Sequence, residues 1–408
     1  MKKNLLLLVC IFISLLTKAQ ENPPEVSRFL QLNTYNGGGL SHLIRDVDNN
    51  AYLTGTANGK NFNFDNYNIV PVGYDDMYVI KTTVSGENLW LKVVTAGAKG
   101  IMKPYKSFLN QNNELYVIGS YSGTINFSGK QFSSTTGENF VLKYGKDGAE
   151  KWIFTTTQVI SDLSFSTNNT YVATRNMLFR LDDSTANVSA NRDFTAQNFK
   201  INAVNILPST GQIFIGGIPL ASSTLDGLSL SKNQATILMG DYSNLAISQS
   251  SQFQVDNPNN YSSEIFDIRS LADGSVAVSG LSSNKTSYKN NVGSVSQANN
   301  STDYSGGGYY LFTAKISSGL STLDWLRTST KIDITPFSST NPYLEVLEIF
   351  PFGTQEVPNN FRVLFKRTTA GLMSYKLPNA LGPMTDDGGA RLFGSDYSTG
   401  LDNTKIPL

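Results

Sequence analysis

The fold of this chain is predicted by two related stretches: MYVIKTTVSGENLW at residues 77–90 and NFVLKYGKDGAEKW at residues 139–152. The second stretch repeats the lysine, the glycine and the tryptophan of the first at the same positions. Each stretch follows a shorter phrase, NAYLTG at 50–55 and ELYVIG at 114–119. Apolar or alternating runs between Asn, Asp and Gly turns predict β-strands. Repetition of such a unit predicts an all-β fold, the β-propeller.

Each unit reads as four strands, A to D. In the first unit we predict them at 43–47, 51–54, 77–83 and 89–94, and further units begin near residues 107, 162, 201 and 265. The sixth unit has strands at 343–350, 361–365 and 372–377, and Pro378 then interrupts it. Because Val26–Leu32 is a strand with nothing before it, we expect this strand to complete the sixth sheet. Such closure hides unpaired strand edges and favours six blades, with seven as the alternative.

The chain begins with a predicted secretory signal at residues 1–19: two lysines, an apolar run from Leu5 to Leu16, and a small-residue cleavage site. A linker at 20–25, a propeller at 26–378 and a C-terminal tail at 379–408 follow. The apolar run is shorter than a bilayer span requires, and no later segment is apolar enough to span. We expect an exported protein that is periplasmic or associated with the outer membrane, with the cell surface as the alternative.

Composition excludes several classes of site. The chain has 32 basic and 32 acidic residues with no long run of one sign, so nothing in it attracts nucleic acid. The single histidine, His42, and the single cysteine, Cys10 in the signal, cannot supply a zinc, haem or non-haem iron site. No Gly-x-Ser-x-Gly elbow accompanies His42, so we read it as a packing or surface residue. We predict no catalytic residue and no transition-metal cofactor.

Two units resemble a known family. Gly123-Thr-Ile-Asn-Phe-Ser-Gly129, followed by Phe140-Val-Leu-Lys-Tyr-Gly-Lys-Asp-Gly148 and Trp152, is similar to the β-propeller repeat of secreted bacterial proteins, the SBBP type. The resemblance is close over residues 49–92 and 113–153 and looser over 211–245 and 273–326. It implies a propeller and export, but that family has no shared activity and no shared catalytic residues to transfer.

Oxygen ligands for calcium could come from Asp46, Asp48 and Asn50, which alternate as in a calcium loop. The bidentate acid that ends such a loop is missing, and Asp and Asn also stabilise turns through hydrogen bonds to the backbone. Both interpretations stay open. The tryptophans Trp90, Trp152 and Trp325 recur at one place in the unit, so we interpret them as packing between sheets.

The loops between strands B and C are long at 56–76, 120–139, 217–235 and 281–308. In a propeller these loops share one face with the links from strand D to the next strand A. We predict a ligand face there, formed by Tyr67, Tyr74, Tyr121, Lys285, Tyr288 and Tyr304. The polar segment 281–308 is either a partner-contact segment or disordered. Shortening it is expected to leave the melting temperature nearly unchanged and to reduce the recovery of any partner or glycan.

Two functions remain open. The first is a non-enzymatic interaction or scaffold module of a bacterial cell envelope that binds a protein partner, for example as an accessory subunit of an outer-membrane complex. The alternative is a carbohydrate-binding or carbohydrate-active propeller, which needs converging carboxylates under exposed rings. The sequence does not identify the partner, the ligand or the oligomeric state.

Overall fold

The computed structural model describes residues 38–58, 61–64, 67–255, 258–259, 261–271, 273–283, 286–290, 295–296, 310–328, 344–352, 360–367, 374–375, 384–385 and 392–396. The chain forms two compact units. Unit 1 comprises Met1–Val117, Tyr121–Thr135 and Tyr144–Glu150, and unit 2 comprises Ile118–Ser120, Thr136–Lys143 and Lys151–Leu408.

The first three sheets each contain four strands arranged in chain order. Sheet 1 is built from β1 Gly38–Arg45, β2 Ala51–Ala57, β5 Asp76–Thr82 and β6 Asn88–Val94, with the hairpin β3 Phe62–Phe64 and β4 Tyr67–Ile69 inserted between β2 and β5. Sheet 2 contains β7 Ile101–Leu109, β8 Leu115–Phe127, β9 Lys130–Tyr144 and β10 Glu150–Thr156. Sheet 3 contains β11 Ile160–Phe165, β12 Asn169–Thr174, β13 Met177–Asp182 and β14 Val188–Asp193.

The next two sheets are linked by two strands that lie in the chain between strands of sheet 5 but pair with sheet 4. Sheet 4 contains β15 Phe199–Leu207, β16 Gln212–Pro219, β19 Ala235–Asp241 and β20 Ile247–Val255, with the hairpin β17 Ser223–Leu225 and β18 Leu228–Leu230 between β16 and β19. Sheet 5 contains β21 Ser263–Ser270, β22 Val276–Ser282, β25 Tyr310–Ile316 and β26 Leu323–Thr328. Between β22 and β25, the strands β23 Thr286–Lys289 and β24 Val295–Ser296 leave sheet 5 and extend sheet 4 beyond β20.

The last sheet corrects one prediction. Sheet 6 consists of β27 Leu344–Phe352, β28 Asn360–Arg367 and β31 Leu392–Asp396, and a separate pair is formed by β29 Ser374–Tyr375 and β30 Met384–Thr385. The third strand was predicted at 372–377, but that segment includes β29, which pairs with β30, and the strand that pairs with β28 lies in the predicted tail. A register between distant segments is set by cross-strand pairing, which a local pattern does not reveal.

The described sheets have the strand order of propeller blades. Neighbouring strands are antiparallel in sheets 1, 3 and 5, and the predicted A to D order is confirmed in sheets 1 to 5. In unit 2 the first strands β11, β15, β21 and β27 lie side by side in chain order, as neighbouring blades do. Val26–Leu32 lies outside the described residues, as do the signal and the linker, so ring closure and the blade count stay predictions.

Small cores form between consecutive sheets. One joins Phe214, Ile237 and Phe253 of sheet 4 to Val278 and Phe312 of sheet 5. Another joins residues of sheet 3 to residues of sheet 4. The repeated glycine of the short phrase has a packing reason. A methyl group on Gly55 would lie 2.2 Å from the Tyr78 hydroxyl, and one on Gly280 would lie 2.6 Å from Phe312 Cζ, so an aromatic ring of strand C covers each glycine.

Candidate functional site

The long BC segments are folded hairpins, which changes the interpretation of the predicted ligand face. The β8–β9 hairpin turns at Ser128 and Gly129, and the β17–β18 hairpin turns at Asp226 and Gly227, with positive φ at all four residues as two-residue hairpins require. Their apolar side chains are buried: Ile125 and Phe127 in the first, Leu225 and Leu230 in the second. These segments therefore supply core rather than free loops.

The predicted contact segment 281–308 is partly built into sheet 4. Strand β23 pairs with β20, and Tyr288 is 1% exposed, with its ring 5.4 Å from that of Phe253. The Tyr288 hydroxyl donates to the carbonyl oxygen of Leu320 at 2.9 Å. Burial raises the pKa of Tyr288 to about 12. Tyr288 is thus a core residue, and the expectation that shortening this segment leaves stability unchanged conflicts with its packing.

The other predicted ligand residues divide into three groups. Tyr121 is 2% exposed, so like Tyr288 it cannot present its ring to a ligand. The prediction that Tyr121 and Tyr288 belong to the ligand face is wrong, because both rings fill the core of a folded hairpin or sheet. Tyr74 is 60% exposed. Lys285 and Tyr304 lie outside the described residues, and the side chain of Tyr67 is not described.

The predicted calcium candidate forms an ion-paired turn. Asp46 Oδ1 accepts from the backbone N–H of Asp48 at 3.0 Å and of Asn50 at 2.8 Å. Asp46 Oδ2 accepts from Asn50 Nδ2 at 3.0 Å and lies 3.3 Å from Lys81 Nζ. Burial alone would raise the pKa of Asp46, but the hydrogen bonds from Asn50 and the Lys81 ammonium outweigh it and lower the pKa. The turn interpretation of Asp46, Asp48 and Asn50 is favoured, because an ammonium already neutralises the carboxylate.

His42 connects the first strands of sheets 1 and 2. A register shift between Leu40 and His42 marks a β-bulge in β1, which re-aims the side chain. His42 Nδ1 accepts the backbone N–H of Ser107 at 3.3 Å, and the hydroxyls of Ser107 and Thr54 lie 2.9 Å apart. Because Nδ1 is an acceptor, it carries no proton in this arrangement. The imidazole therefore has a structural role, satisfying an edge N–H of the next sheet.

The same kind of hydrogen bond between neighbouring sheets recurs in unit 2. A side chain of one first strand accepts a backbone N–H of the next: Asp162 Oδ2 from Val204 at 3.0 Å, and Asn205 Oδ1 from Ser270 at 2.8 Å. The bulge before Asp162 recurs before Asp267. Such bonds satisfy strand edges that would otherwise carry unpaired backbone groups.

Two carboxylates converge on one guanidinium in unit 2. Arg269 Nη1 lies 3.2 Å from Asp267 Oδ1 and 3.7 Å from Asp162 Oδ2. Both carboxylate side chains are at most 2% exposed. Glycoside hydrolysis needs carboxyl groups that reach the substrate, one of them free to donate a proton. This cluster is ion-paired and sealed from solvent, so it does not provide such a pair.

The repeated lysine and tryptophan fasten one sheet to the next. In unit 1, Lys81 Nζ and Trp90 Nε1 both donate to the carbonyl oxygen of Lys146, at 3.3 and 3.2 Å. In unit 2, Lys143 Nζ and Trp152 Nε1 both donate to the carbonyl oxygen of Asp183, at 3.0 and 2.8 Å. The packing role predicted for Trp90 and Trp152 is confirmed; the side chain of Trp325 is not described.

Three exposed apolar side chains lie close together in the chain on a backbone that is held by hydrogen bonds. Val70, Val72 and Tyr74 are 53%, 59% and 60% exposed, whereas the intervening Gly73 is buried. We call these three side chains the exposed strip. Sequence reasoning named Tyr74 but missed both valines, although the alternation Val-Pro-Val-Gly-Tyr at 70–74 is the signal that could have found them.

The backbone beneath the exposed strip is held by hydrogen bonds. Asp76 Oδ2 accepts the N–H groups of Val72 and Gly73, at 2.5 and 3.1 Å. The Tyr74 N–H donates to the Gly100 carbonyl oxygen at 2.9 Å. These bonds hold the BC segment against the link between sheets 1 and 2, the two kinds of segment that the sequence predicts to share a face.

Neither a membrane-spanning helix nor a metal-binding group of His, Cys, Asp and Glu side chains is found among the described residues. No helix in this part of the chain is both long and apolar enough to cross a membrane. Within the same residues, no group of three or more His, Cys, Asp or Glu side chains is placed to hold a metal ion.

Comparison with known proteins gives structural similarity at low identity. No protein-family model matches the chain, and no curated protein matches it. BamB from Moraxella catarrhalis is similar with a TM-score of 0.41 and 10% identity, over 86% of this chain and 92% of that chain. The WD40 domain of Neurospora crassa Pan2 gives 0.34 and 12%, over 63% and 76%. The β-propeller domain of Myceliophteria thermophila Cps50 (Swd1) gives 0.34 and 9%, over 72% and 93%. Similarity at this level does not identify a function.

Proposed function

We propose that this protein is a non-enzymatic interaction module that binds a protein partner through the exposed strip. The observation that carries the proposal is the exposure of Val70, Val72 and Tyr74 on a backbone already fixed by hydrogen bonds. Apolar and aromatic side chains form the centres of protein interfaces. A fixed backbone lowers the entropy lost when a partner binds.

The surroundings of the exposed strip fit the rim of an interface. Asp75 follows the strip directly, and its Oδ2 lies 3.4 Å from Lys103 Nζ. The Lys103 side chain is 54% exposed. A small apolar centre beside an exposed ion pair is the usual composition of a protein-binding patch. The predicted signal at residues 1–19 supports placing this partner in the cell envelope, and an accessory role in an outer-membrane complex is one form of the proposal.

The carbohydrate hypothesis has weaker support. Tyr74 is the one predicted ring whose exposure the described residues establish, and the carboxylates of Asp162 and Asp267 are paired with Arg269 and buried. A glycan site on this chain would need other residues.

The test compares two triple variants of the mature protein. Val70→Ser/Val72→Ser/Tyr74→Ser removes the exposed strip. Val47→Ser/Val84→Ser/Val188→Ser removes three exposed valines elsewhere and serves as the matched control. Tagged parent protein is used to recover partners from envelope extracts, and affinity for the identified, purified partner is then measured by calorimetry. We expect the strip variant to bind roughly 10–100-fold more weakly and the control to bind like the parent. Equal loss in both variants, or none in the strip variant, would refute the proposal.

A further inference from the structure

His42 is the only histidine of the chain. Imidazole is the side chain whose charge ordinarily changes between about pH 5 and 8. Its Nδ1 accepts the backbone N–H of Ser107 at 3.3 Å, which joins the first strands of sheets 1 and 2. The chain therefore places its one imidazole at a contact between two sheets.

The N–H group that donates to His42 is shielded from water. Ser107 is 1% exposed, and its hydroxyl lies 2.9 Å from that of Thr54, which is 0% exposed. A buried N–H group that loses its acceptor carries the full cost of its desolvation. The hydrogen bond from Ser107 therefore stabilises the contact only while Nδ1 of the imidazole carries no proton.

The related contact between sheets 3 and 4 uses a carboxyl group. Asp162 follows a β-bulge in β11 as His42 does in β1, and Asp162 Oδ2 accepts the N–H of Val204 at 3.0 Å. A carboxyl group keeps an acceptor oxygen whether or not it is protonated, whereas an imidazole that binds a second proton has donors only. Of these two contacts, only that of His42 has an acceptor that protonation removes.

The charged side chains of the strands packed against His42 do not favour a proton on it. Strands β1, β2 and β7 contain no Asp or Glu, and their other charged residues are cationic: Arg45, Lys103 and Lys106. The remaining titratable groups on these strands are Tyr52 and Tyr105, and burial raises the pKa of Tyr52. Asp46 follows β1, but its Oδ2 already lies 3.3 Å from Lys81 Nζ. No carboxylate of these strands therefore compensates a protonated imidazole.

We propose that His42 makes the contact between sheets 1 and 2 sensitive to mild acid. A second proton converts Nδ1 from an acceptor into a donor, so the bond from Ser107 breaks and a buried N–H group loses its partner. In the unfolded chain an imidazole takes up this proton below about pH 6.5 without such a loss. The stabilisation that the bond supplies is therefore complete above about pH 6.5 and declines as the pH falls below that value. This inference does not depend on the proposed function, since stability is measured without a partner.

The test uses the purified mature protein without a histidine tag. Hydrogen exchange is followed by mass spectrometry at about pH 7.5 and about pH 5.5, and each rate is expressed relative to that of an unstructured amide at the same pH. We expect the protection of the peptide that contains Ser107 to fall roughly tenfold at the lower pH. The peptide that contains Val204 is the internal control and should keep its protection, because Asp162 retains an acceptor oxygen at both pH values.

His42→Asn separates protonation from packing, because the amide Oδ1 lies as many bonds from Cβ as the imidazole Nδ1 and accepts at both pH values. Between about pH 7.5 and 5.5, the urea midpoint should fall further in the parent than in His42→Asn. Three outcomes would overturn the proposal: unchanged protection of the Ser107 peptide, equal losses in the Ser107 and Val204 peptides, or the parental pH dependence in His42→Asn. Should His42→Asn fail to fold, the exchange of the two peptides in the parent decides the question.

Discussion

Replacing Tyr288 with alanine tests whether the segment between β22 and β25 belongs to the core of sheet 4. The side chain is 1% exposed, its ring lies 5.4 Å from that of Phe253, and its hydroxyl donates to the Leu320 carbonyl oxygen. Truncating a buried aromatic side chain costs about 3–5 kcal/mol, since the cavity adds to the lost transfer free energy. Losing the hydroxyl alone, in Tyr288→Phe, costs about 1 kcal/mol.

The measurement is the Tm from calorimetry together with the urea midpoint. At about 2–4 °C per kcal/mol for a unit of this size, Tyr288→Ala should lower the Tm by about 10 °C and Tyr288→Phe by about 3 °C. Tyr74→Ala is the matched control, because that ring is 60% exposed and should change the Tm little. If Tyr288→Ala and Tyr74→Ala unfold together at the parental temperature, the pairing of β23 with β20 is wrong.

Three further predictions concern the Asp46 turn, the Trp152 hydrogen bond between sheets and the Gly148 turn. Asp46→Asn should lower the free energy of unfolding by about 2 kcal/mol at neutral pH. The pKa of Asp46 in the folded protein lies below its ordinary value of 3.8. The stabilisation is therefore complete above pH 3.8 and is lost as the pH falls through the folded pKa. The urea midpoints of parent and variant should converge at low pH. Trp152→Phe removes a 2.8 Å hydrogen bond to sheet 3 and should cost about 1 kcal/mol, and an unchanged urea midpoint would contradict this role. Gly148→Ala places Cβ 2.9 Å from Trp90 Cδ2 and should destabilise unit 1 more than Gly129→Ala, because Gly129 shares the positive φ but a Cβ there meets open space. Indole fluorescence and the Tm are measured for both variants. Equal losses of stability in the two variants would exclude the ring contact.

The sequence predicted the repeated sheets because strand periodicity is local. Alternation over a few residues sets which side chains face inward, and a short Asp- or Gly-containing turn sets antiparallel pairing of the two flanking strands. Strands A to D of sheets 1 to 5 follow from these signals, and so does the packing role of Trp90 and Trp152, since a tryptophan at one repeated position meets the same neighbour in each repeat.

Pairing between distant segments could not be predicted in this way. The return of β23 to sheet 4 and the pairing of β31 with β28 depend on which exposed edge a segment reaches, and many registers are compatible with the same local pattern. The polar appearance of 281–308 pointed to a loop, yet a single aromatic side chain, Tyr288, was enough to anchor part of it in the core.

For the candidate sites, too, some properties follow from the sequence and others only from the tertiary structure. From the sequence alone we predicted that one histidine and one cysteine are too few for the common metal and catalytic centres, because composition limits which chemical groups are present. Only the tertiary structure decided which carboxylate oxygen has a partner: Lys81 neutralises Asp46, while Asp76 Oδ1 is buried without a hydrogen-bond partner among the described residues. Charge compensation depends on distances between side chains far apart in the chain, and those distances exist only once the sheets have packed.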